Sequence, residues 1–356
     1  MSESLARTGV SRLSIAVAIL AFALIVVAGA DLRASESDAC AGWGDCSGWT
    51  YMTGDSGTIG RLHLAVAGLT GITTIALVAF AWLRLRDDHR VMRAAVAALA
   101  LIGVQAVAVA LPGDGSAATW GATAHLGATA LLLALAIYLV AIPSWRVLRA
   151  SAFASGASRA GSTYPAIVGW SIAAVFAVLV SGAYLTAAGN ATECGGWPVC
   201  DSSSASGIIS ADAHGLHRIL VVGAGALLLI LAVQTLRSQR PSRLRTGVVG
   251  ALVGIFAVEI VVGAFSATGS EGGIISATHF GSAGLSWSLL VVLALATGAR
   301  LAPATASPAT GAGLTIREAA RDYLRVMKPG IIVLLLITTV GAMLVAGPWP
   351  SIWLVL

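Results

Sequence analysis

The sequence predicts an all-α polytopic membrane protein, built as two pseudo-symmetric four-helix transmembrane bundles with one extra helix at the C-terminal end. Three observations support this prediction. The chain is 57% hydrophobic and only 10% charged, a composition typical of membrane proteins. Apolar runs long enough to cross a bilayer recur along it, and its landmark residues repeat at one fixed offset.

The apolar runs give the number of helices. Each has roughly 18 residues or more, the length that spans the hydrocarbon core of a bilayer. They cover residues 13–30, 62–83, 94–111, 119–142, 166–187, 213–236, 247–266 and 276–298, and a ninth begins at Pro329. The first run also resembles a secretory signal, but the repeat pairs it with the fifth run and favours a retained span.

Basic and acidic residues occupy alternate loops. Arginines precede the first run and follow the second, fourth and sixth, whereas the other loops are mainly acidic, with Arg33 as an exception. Because Lys and Arg collect on the cytoplasmic side, we expect a cytoplasmic N-terminus in a plasma-membrane protein. The net charge of +5 reflects this bias and does not indicate a nucleic-acid partner.

Two cysteine loops define the repeat. CAGWGDC aligns with CGGWPVC, so that Cys40 pairs with Cys194 and Cys46 with Cys200, an offset of 154 residues. The same offset pairs His63 with His217, Gln105 with Glu259, and His125 with His279. We therefore expect two halves of the same orientation, residues 1–150 and 160–300, as in other parallel membrane repeats.

Four histidines occupy matched positions in the even-numbered runs: His63, His125, His217 and His279. Each lies within about two turns of the outer end of its run, at 1.5 Å of rise per residue. One such residue is readily explained as a core histidine, but ionisable groups inside membrane spans are usually functional. Four at one depth predict a site in each half.

Paired imidazoles on separate helices are typical axial ligands of haem iron. Zinc and copper also bind histidine, but usually through three or four converging ligands. The segments around His125 and His279, GATAHLGATA and ATHFGSAG, consist largely of small residues that leave room for a flat macrocycle. The sequence therefore predicts one haem-sized site per half.

Several charged residues lie near these histidines. Arg61 and Arg218 either contact haem propionates or are interfacial arginines that reach toward water. His214 lies one turn before His217 and shares its face. Glu259, inside the seventh run, either makes a structural hydrogen bond or takes part in a proton relay.

The cysteine loops are predicted to lie in the oxidising compartment outside the membrane, where disulfides persist. We expect a local disulfide between Cys40 and Cys46 and another between Cys194 and Cys200, each closing a loop above one histidine pair. A stapled loop is favoured over a redox role. Zinc is disfavoured, because a spacing of five residues is unusual for its ligands.

Together these features resemble the haem A synthase family, whose members convert haem O to haem A. The resemblance covers residues 10–300 and includes the pairs His217–Arg218 and His125–Leu126. It implies two successive monooxygenations that take one methyl group of haem O to a formyl group. It also implies a haem b cofactor on His217 and His279 and the substrate haem on His63 and His125.

The sequence departs from that family at one position. Members carry a glutamate, treated as catalytically important, one turn before the histidine of the second helix, and Gly60 stands there in this chain. The catalytic group is therefore unassigned, with Asp55 and His214 as weak candidates. The electron donor is also unassigned. His63 is also followed by Leu64 instead of the arginine usual in the family.

The C-terminal segment carries a second resemblance. Residues 301–315 form a Pro/Ala/Gly/Thr linker. Residues 316–356, including Lys328 and Pro329, resemble the start of haem O synthase, the protohaem farnesyltransferase. The aspartate-rich motifs with which that family holds magnesium and prenyl diphosphate are absent from the sequence. We expect a truncated fusion that does not transfer a prenyl group, with haem O synthase as a fused or associated partner.

Two alternatives remain: a dihaem electron-transfer protein of the cytochrome b type, and a non-enzymatic haem-binding or haem-delivery protein. Gly60 favours the electron carrier, whereas the cysteine loops and the fused tail favour the synthase. Dihaem carriers usually place haems near both membrane faces, and here all four histidines lie near one. A thiol oxidoreductase would need a quinone site, for which the sequence gives no support.

Overall fold

The computed structural model describes residues 3–34, 58–110, 116–150, 163–188, 197, 213–237, 243–267 and 273–298. These residues form an all-helical structure. The helices are α1 (Glu3–Ala34), α2 (Thr58–Leu85), α3 (His89–Ala110), α4 (Ser116–Ala150), α5 (Thr163–Ala187), α6 (Ala213–Leu236), α7 (Arg243–Ala267) and α8 (Gly273–Gly298).

In this part of the chain, eight helices are long and apolar enough to cross a membrane, as predicted. The described residues thus have the architecture of a multi-pass membrane protein. Several helices are longer than their apolar runs, because helical hydrogen bonding continues through polar residues that hydropathy does not mark. The predicted ninth span, the linker and both cysteine loops lie outside the described residues.

The helices pack as two sets of four. In the first set α1 contacts α2 and α4, and α3 also contacts α2 and α4. In the second set α5 contacts α6 and α8, and α7 also contacts α6 and α8. The two sets meet where α1 packs on α8 and where α4 packs on α5 and α8.

The inner helices are α4 and α8. Of their membrane-crossing stretches, 56% and 61% of residues are buried, against 22% in α2, α6 and α7. Leu132 and Leu139 of α4 and Leu290 of α8 are fully buried. By contrast, Leu83 of α2 and Val222 of α6 are largely exposed, as expected for helices that face lipid. The histidines of α4 and α8 are thus carried by the two most enclosed helices.

Close contacts fix α8 against α1. Ser276 donates a hydrogen bond of 2.6 Å to the main-chain oxygen of Gly29. A Cβ at Gly29 would lie 2.7 Å from the ring of Phe280, so only glycine lets this ring approach α1. Small residues and interhelical hydrogen bonds are the usual means of helix association in membranes. Because Phe280 directly follows His279, this contact also positions a site histidine.

Candidate functional site

The structure places the four histidines near corresponding ends of the even-numbered helices: His63 on α2, His125 on α4, His217 on α6 and His279 on α8. Among the described residues, no group of three or more His, Cys, Asp or Glu side chains lies together as a bare metal site would require. The four histidines instead form one pair in each set of helices.

The first pair is His63 and His125. Their ring centroids lie 6.0 Å apart, and the ring planes differ by 29°. The two imidazoles thus come from separate helices and lie face to face at close range. Nδ1 of both rings is buried in protein. These two residues would be the ligands offered by this set of helices to a bound haem.

Polar residues of α3 and α4 hold His125. Its imidazole lies beside the backbone of Gln105, a buried residue of α3. Thr129 lies one turn after His125, and its hydroxyl is within hydrogen-bond distance of Gln105 Oε1 at 3.1 Å and of the His125 carbonyl at 2.9 Å. These contacts tie the histidine, its own helix and α3 together.

The second pair is His217 and His279, which lie close enough to interact electrostatically. Ser181 Oγ on α5 lies 2.8 Å from His217 Nδ1. The imidazole of His279 lies beside the backbone of Glu259 on α7, and its Nδ1 is buried. Glu259 is also buried, and its Oε2 accepts a long hydrogen bond of 3.4 Å from Ser286.

Two glycines support the rings of the second pair. A Cβ at Gly182 of α5 would lie 3.2 Å from His217 Cε1, and a Cβ at Gly263 of α7 would lie 3.1 Å from His279 Cε1. Each imidazole thus rests against a helix backbone that glycine leaves open. The positions at the same offset in the first set are Ala28 and Val109.

Sequence reasoning missed Ser181, Gly182 and Gly263. The signal for the first two was the pair Ser181–Gly182 inside the otherwise apolar stretch VFAVLVSGAYL. This pair lies in the last two turns of α5, which ends at Ala187. A polar residue next to a glycine at that depth is consistent with a contact to another helix. Gly263 gave no comparable signal, because glycine is frequent throughout this chain.

The remaining predicted site residues lie as follows. Arg61 is exposed and Arg218 half-buried, and Arg218 and His214 both lie within electrostatic range of His217. Gly60 is buried on α2, one turn before His63. Asp55, Cys40, Cys46, Cys194 and Cys200 lie outside the described residues.

No protein-family model matches the chain, but curated proteins resemble it. It is 32% identical over 268 residues to a protohaem IX farnesyltransferase of Roseiflexus castenholzii, across 70% of this chain and 48% of that protein. It is 31% identical over 262 residues to the enzyme of the same name from a Roseiflexus species, across 69% of this chain and 47% of that protein.

A haem A synthase of Alkalihalophilus pseudofirmus is 31% identical over 189 residues, across 52% of this chain and 61% of that protein. The chain spans about half the length of the two farnesyltransferases it matches. The sequence had limited the resemblance to farnesyltransferases to residues 316–356. The match covers 268 residues, so the similarity extends well beyond that segment. Taken together, the similarities relate the chain to membrane enzymes of haem O and haem A biosynthesis.

Proposed function

We propose that this chain is a haem A synthase, which oxidises one methyl group of haem O to a formyl group by successive hydroxylations in the membrane. The observation that carries the proposal is the pairing of imidazoles across each set of four helices, at His63–His125 and at His217–His279. Its similarity to a haem A synthase supports the same reaction.

The residues present fit a haem in each set. Two histidines on separate helices would hold the iron of a bound haem. The 6.0 Å between the ring centroids of His63 and His125 suits one shared iron. Gly182 and Gly263 leave the backbone open beside the second pair, where a side chain would press on the imidazoles. Arg218, half-buried beside His217, suits a propionate.

The contacts around the second pair support its assignment to a resident haem b. Ser181 and Gly182 hold His217, and Gly263 supports His279. The matching positions of the first set carry Val27, Ala28 and Val109, which offer neither the hydroxyl nor the open backbone. A permanently bound cofactor gains from such preorganisation, whereas a substrate has to enter and leave.

In this assignment haem b, when bound at His217 and His279, supplies electron transfer. His63 and His125 would hold and orient the substrate haem, and the surrounding apolar helices would exclude water. Each hydroxylation inserts one oxygen atom of O₂ into a C–H bond and reduces the other to water, which consumes two electrons and two protons. The second hydroxylation gives a geminal diol, which loses water to leave the formyl group. The electrons must come from a membrane or soluble donor.

The proposal includes the arrangement of the chain in the cell membrane. The contacts of the two sets of four support a pseudo-twofold repeat of residues 1–150 and 160–300, because α1 meets α8 as α5 meets α4. The N-terminus would be cytoplasmic, and the loops with the two disulfides extracytoplasmic. Residues 301–315 would link the repeat to residues 316–356, a prenyltransferase-like segment associated with haem O synthase.

The test is co-expression of the full chain with an intact haem O synthase in a host that lacks haem A. Extracted haems are separated by chromatography with mass detection. We expect haem A or hydroxylated haem O, lost in His63→Ala and His125→Ala but retained in His89→Ala, an exposed residue at the start of α3. His217→Ala and His279→Ala should lose bound haem b as well.

Gly60 favours a second candidate, a dihaem electron carrier or haem-delivery protein. This buried position, one turn before His63, has no carboxylate with which to move a proton. Such a protein would bind haem through the same four histidines without changing haem O. Recovery of bound haem b together with unmodified haem O from the co-expression host would replace the synthase proposal with this one.

A further inference from the structure

The Ser181 hydroxyl contacts both His217 and its own helix. Ser181 Oγ lies 2.8 Å from His217 Nδ1 and 3.0 Å from the main-chain oxygen of Val178, to which it donates. A serine hydroxyl has a single proton. When that proton is directed to Val178, Ser181 Oγ accepts from His217, whose proton is then on Nδ1.

The contact with Ser181 occupies Nδ1 and leaves Nε2 as the ring nitrogen for a metal. A neutral imidazole with its proton on Nδ1 has its lone pair on Nε2. Gly182, the next residue of α5, lies against Cε1 of the same ring, since a Cβ there would be 3.2 Å from that atom. Two consecutive residues of α5 thus contact the His217 ring and restrict its rotation.

We propose that Ser181 is a positioning residue for His217. It orients the ring so that Nε2 faces the haem iron, and it sets the basicity of that nitrogen. The inference rests on the proposed haem site of the second set of helices. A hydrogen bond at the ring nitrogen that does not bind the metal orients a histidine ligand and makes its other nitrogen a stronger electron donor to the metal. A stronger donor stabilises the ferric state, so the bond to Ser181 lowers the reduction potential of the bound haem.

The aligned positions of the first half carry different residues. The position that aligns with Ser181 at the offset of 154 residues is Val27, and the one that aligns with Gly182 is Ala28. Valine cannot accept the Nδ1 proton of His63. The serine therefore distinguishes the two haem sites, and it belongs to the one assigned to the resident cofactor.

The experiment uses the purified full chain with its bound haem b and compares Ser181→Ala, Ser181→Thr and Ser181→Val. Thr and Val have nearly the same shape and differ in the hydroxyl, which in a helical threonine bonds the carbonyl three or four residues earlier. Ser171→Ala is the control, because Ser171 is fully buried on the same helix and its Oγ has no hydrogen-bond partner among the described residues.

The readouts are the midpoint potential, the low-spin electron paramagnetic resonance signal, and haem retention during dilution. We expect Ser181→Ala and Ser181→Val to raise the potential, alter the signal and weaken haem binding by about tenfold, the lower end of the loss seen for such residues. Ser181→Thr and Ser171→Ala should match the parent chain in all three.

Equal behaviour of Ser181→Thr and Ser181→Val, whether both like the parent or both impaired, would overturn the inference, because only the hydroxyl separates them. That outcome leaves the proposed function intact, because it concerns only whether the Ser181 hydroxyl supports His217. Conversely, a difference between these variants in a chain that leaves haem O unmodified would uphold the role of Ser181 and reject the synthase.

Discussion

The indole N–H of Trp287 on α8 donates a hydrogen bond of 2.8 Å to the main-chain oxygen of Ala130 on α4. Its ring also packs on Phe176 of α5, with centroids 5.4 Å apart. This one side chain, 3% exposed, joins three helices where the two sets of four meet. Because α4 carries His125 and α8 carries His279, the bond fixes the two sites relative to each other.

Replacing Trp287 by Phe keeps an aromatic ring but removes the hydrogen-bond donor. Interhelical hydrogen bonds in a membrane protein contribute about 0.6 kcal/mol on average and at most about 1.7 kcal/mol, and the smaller ring adds a packing loss. We expect Trp287→Phe to lower the thermal unfolding temperature of the detergent-solubilised chain. Trp170→Phe is the control, since Trp170 is 57% exposed on α5. Equal shifts in both variants would assign the loss to aromatic size alone.

Asp88 has two roles at the start of α3. Its Oδ1 accepts from the backbone N–H groups of Arg90 and Val91 at 3.1 and 3.3 Å, which makes it the N-cap of that helix. Its Oδ2 forms a salt bridge of 3.0 Å with Arg7 of α1. Both partners of the salt bridge are partly exposed, so solvent screens the ion pair.

The cap therefore outweighs the salt bridge. Loss of an N-cap costs about 0.5–2 kcal/mol, whereas a partly exposed ion pair contributes about 0–1 kcal/mol. Asp88→Asn keeps the cap and loses the ion pair, so its loss of unfolding free energy should equal that of Arg7→Ala. Asp88→Ala should lose more than either. Denaturant unfolding in detergent measures the three variants, and a similar loss for Asp88→Asn and Asp88→Ala would show that the ion pair dominates.

Hydropathy predicted the eight described spans because membrane helices must be continuously apolar over a fixed length. It could not predict which face of each helix is buried. In lipid both the core and the outer face are apolar, so Leu132 and Leu83 look alike in the sequence although the first is fully buried and the second is 75% exposed.

The candidate site divides in the same way. The fixed offset predicted which histidines correspond, and the structure brings His63 and His125 to 6.0 Å between ring centroids. The supports of the second pair depend on contacts between helices distant in sequence, such as Ser181 with His217. A small residue that touches a ring 36 positions away leaves no periodic pattern, so it emerges only from the packed structure.

Glu259 is expected to act as a structural hydrogen-bonding residue. It is buried, accepts from Ser286 at 3.4 Å, and aligns with Gln105, which accepts from Thr129 through its amide oxygen. The chain thus already uses an amide at the matched position. We expect Glu259→Gln to retain stability, bound haem and turnover in the co-expression assay.

The reciprocal change is the control for Glu259. Gln105→Glu places a new carboxylate within a membrane helix, which costs on the order of a few kcal/mol when charged, so this variant should lose stability. If Glu259→Gln retains its haem but forms no oxidised haem O, the carboxylate takes part in proton transfer, and its structural assignment is wrong.

The two glycines that contact the second histidine pair give the last prediction. Alanine at Gly182 or Gly263 would bring a Cβ within 3.2 Å of His217 or 3.1 Å of His279, so each ring must shift by a few tenths of an ångström. Alanine also favours helix by about 0.8–1 kcal/mol, so these variants should fold but bind less haem and show an altered reduced absorption band. Gly250→Ala is the control, since its Cβ would meet nothing within 4 Å. It should gain stability with its spectrum unchanged, and equal spectra in all three variants would contradict close support of the rings.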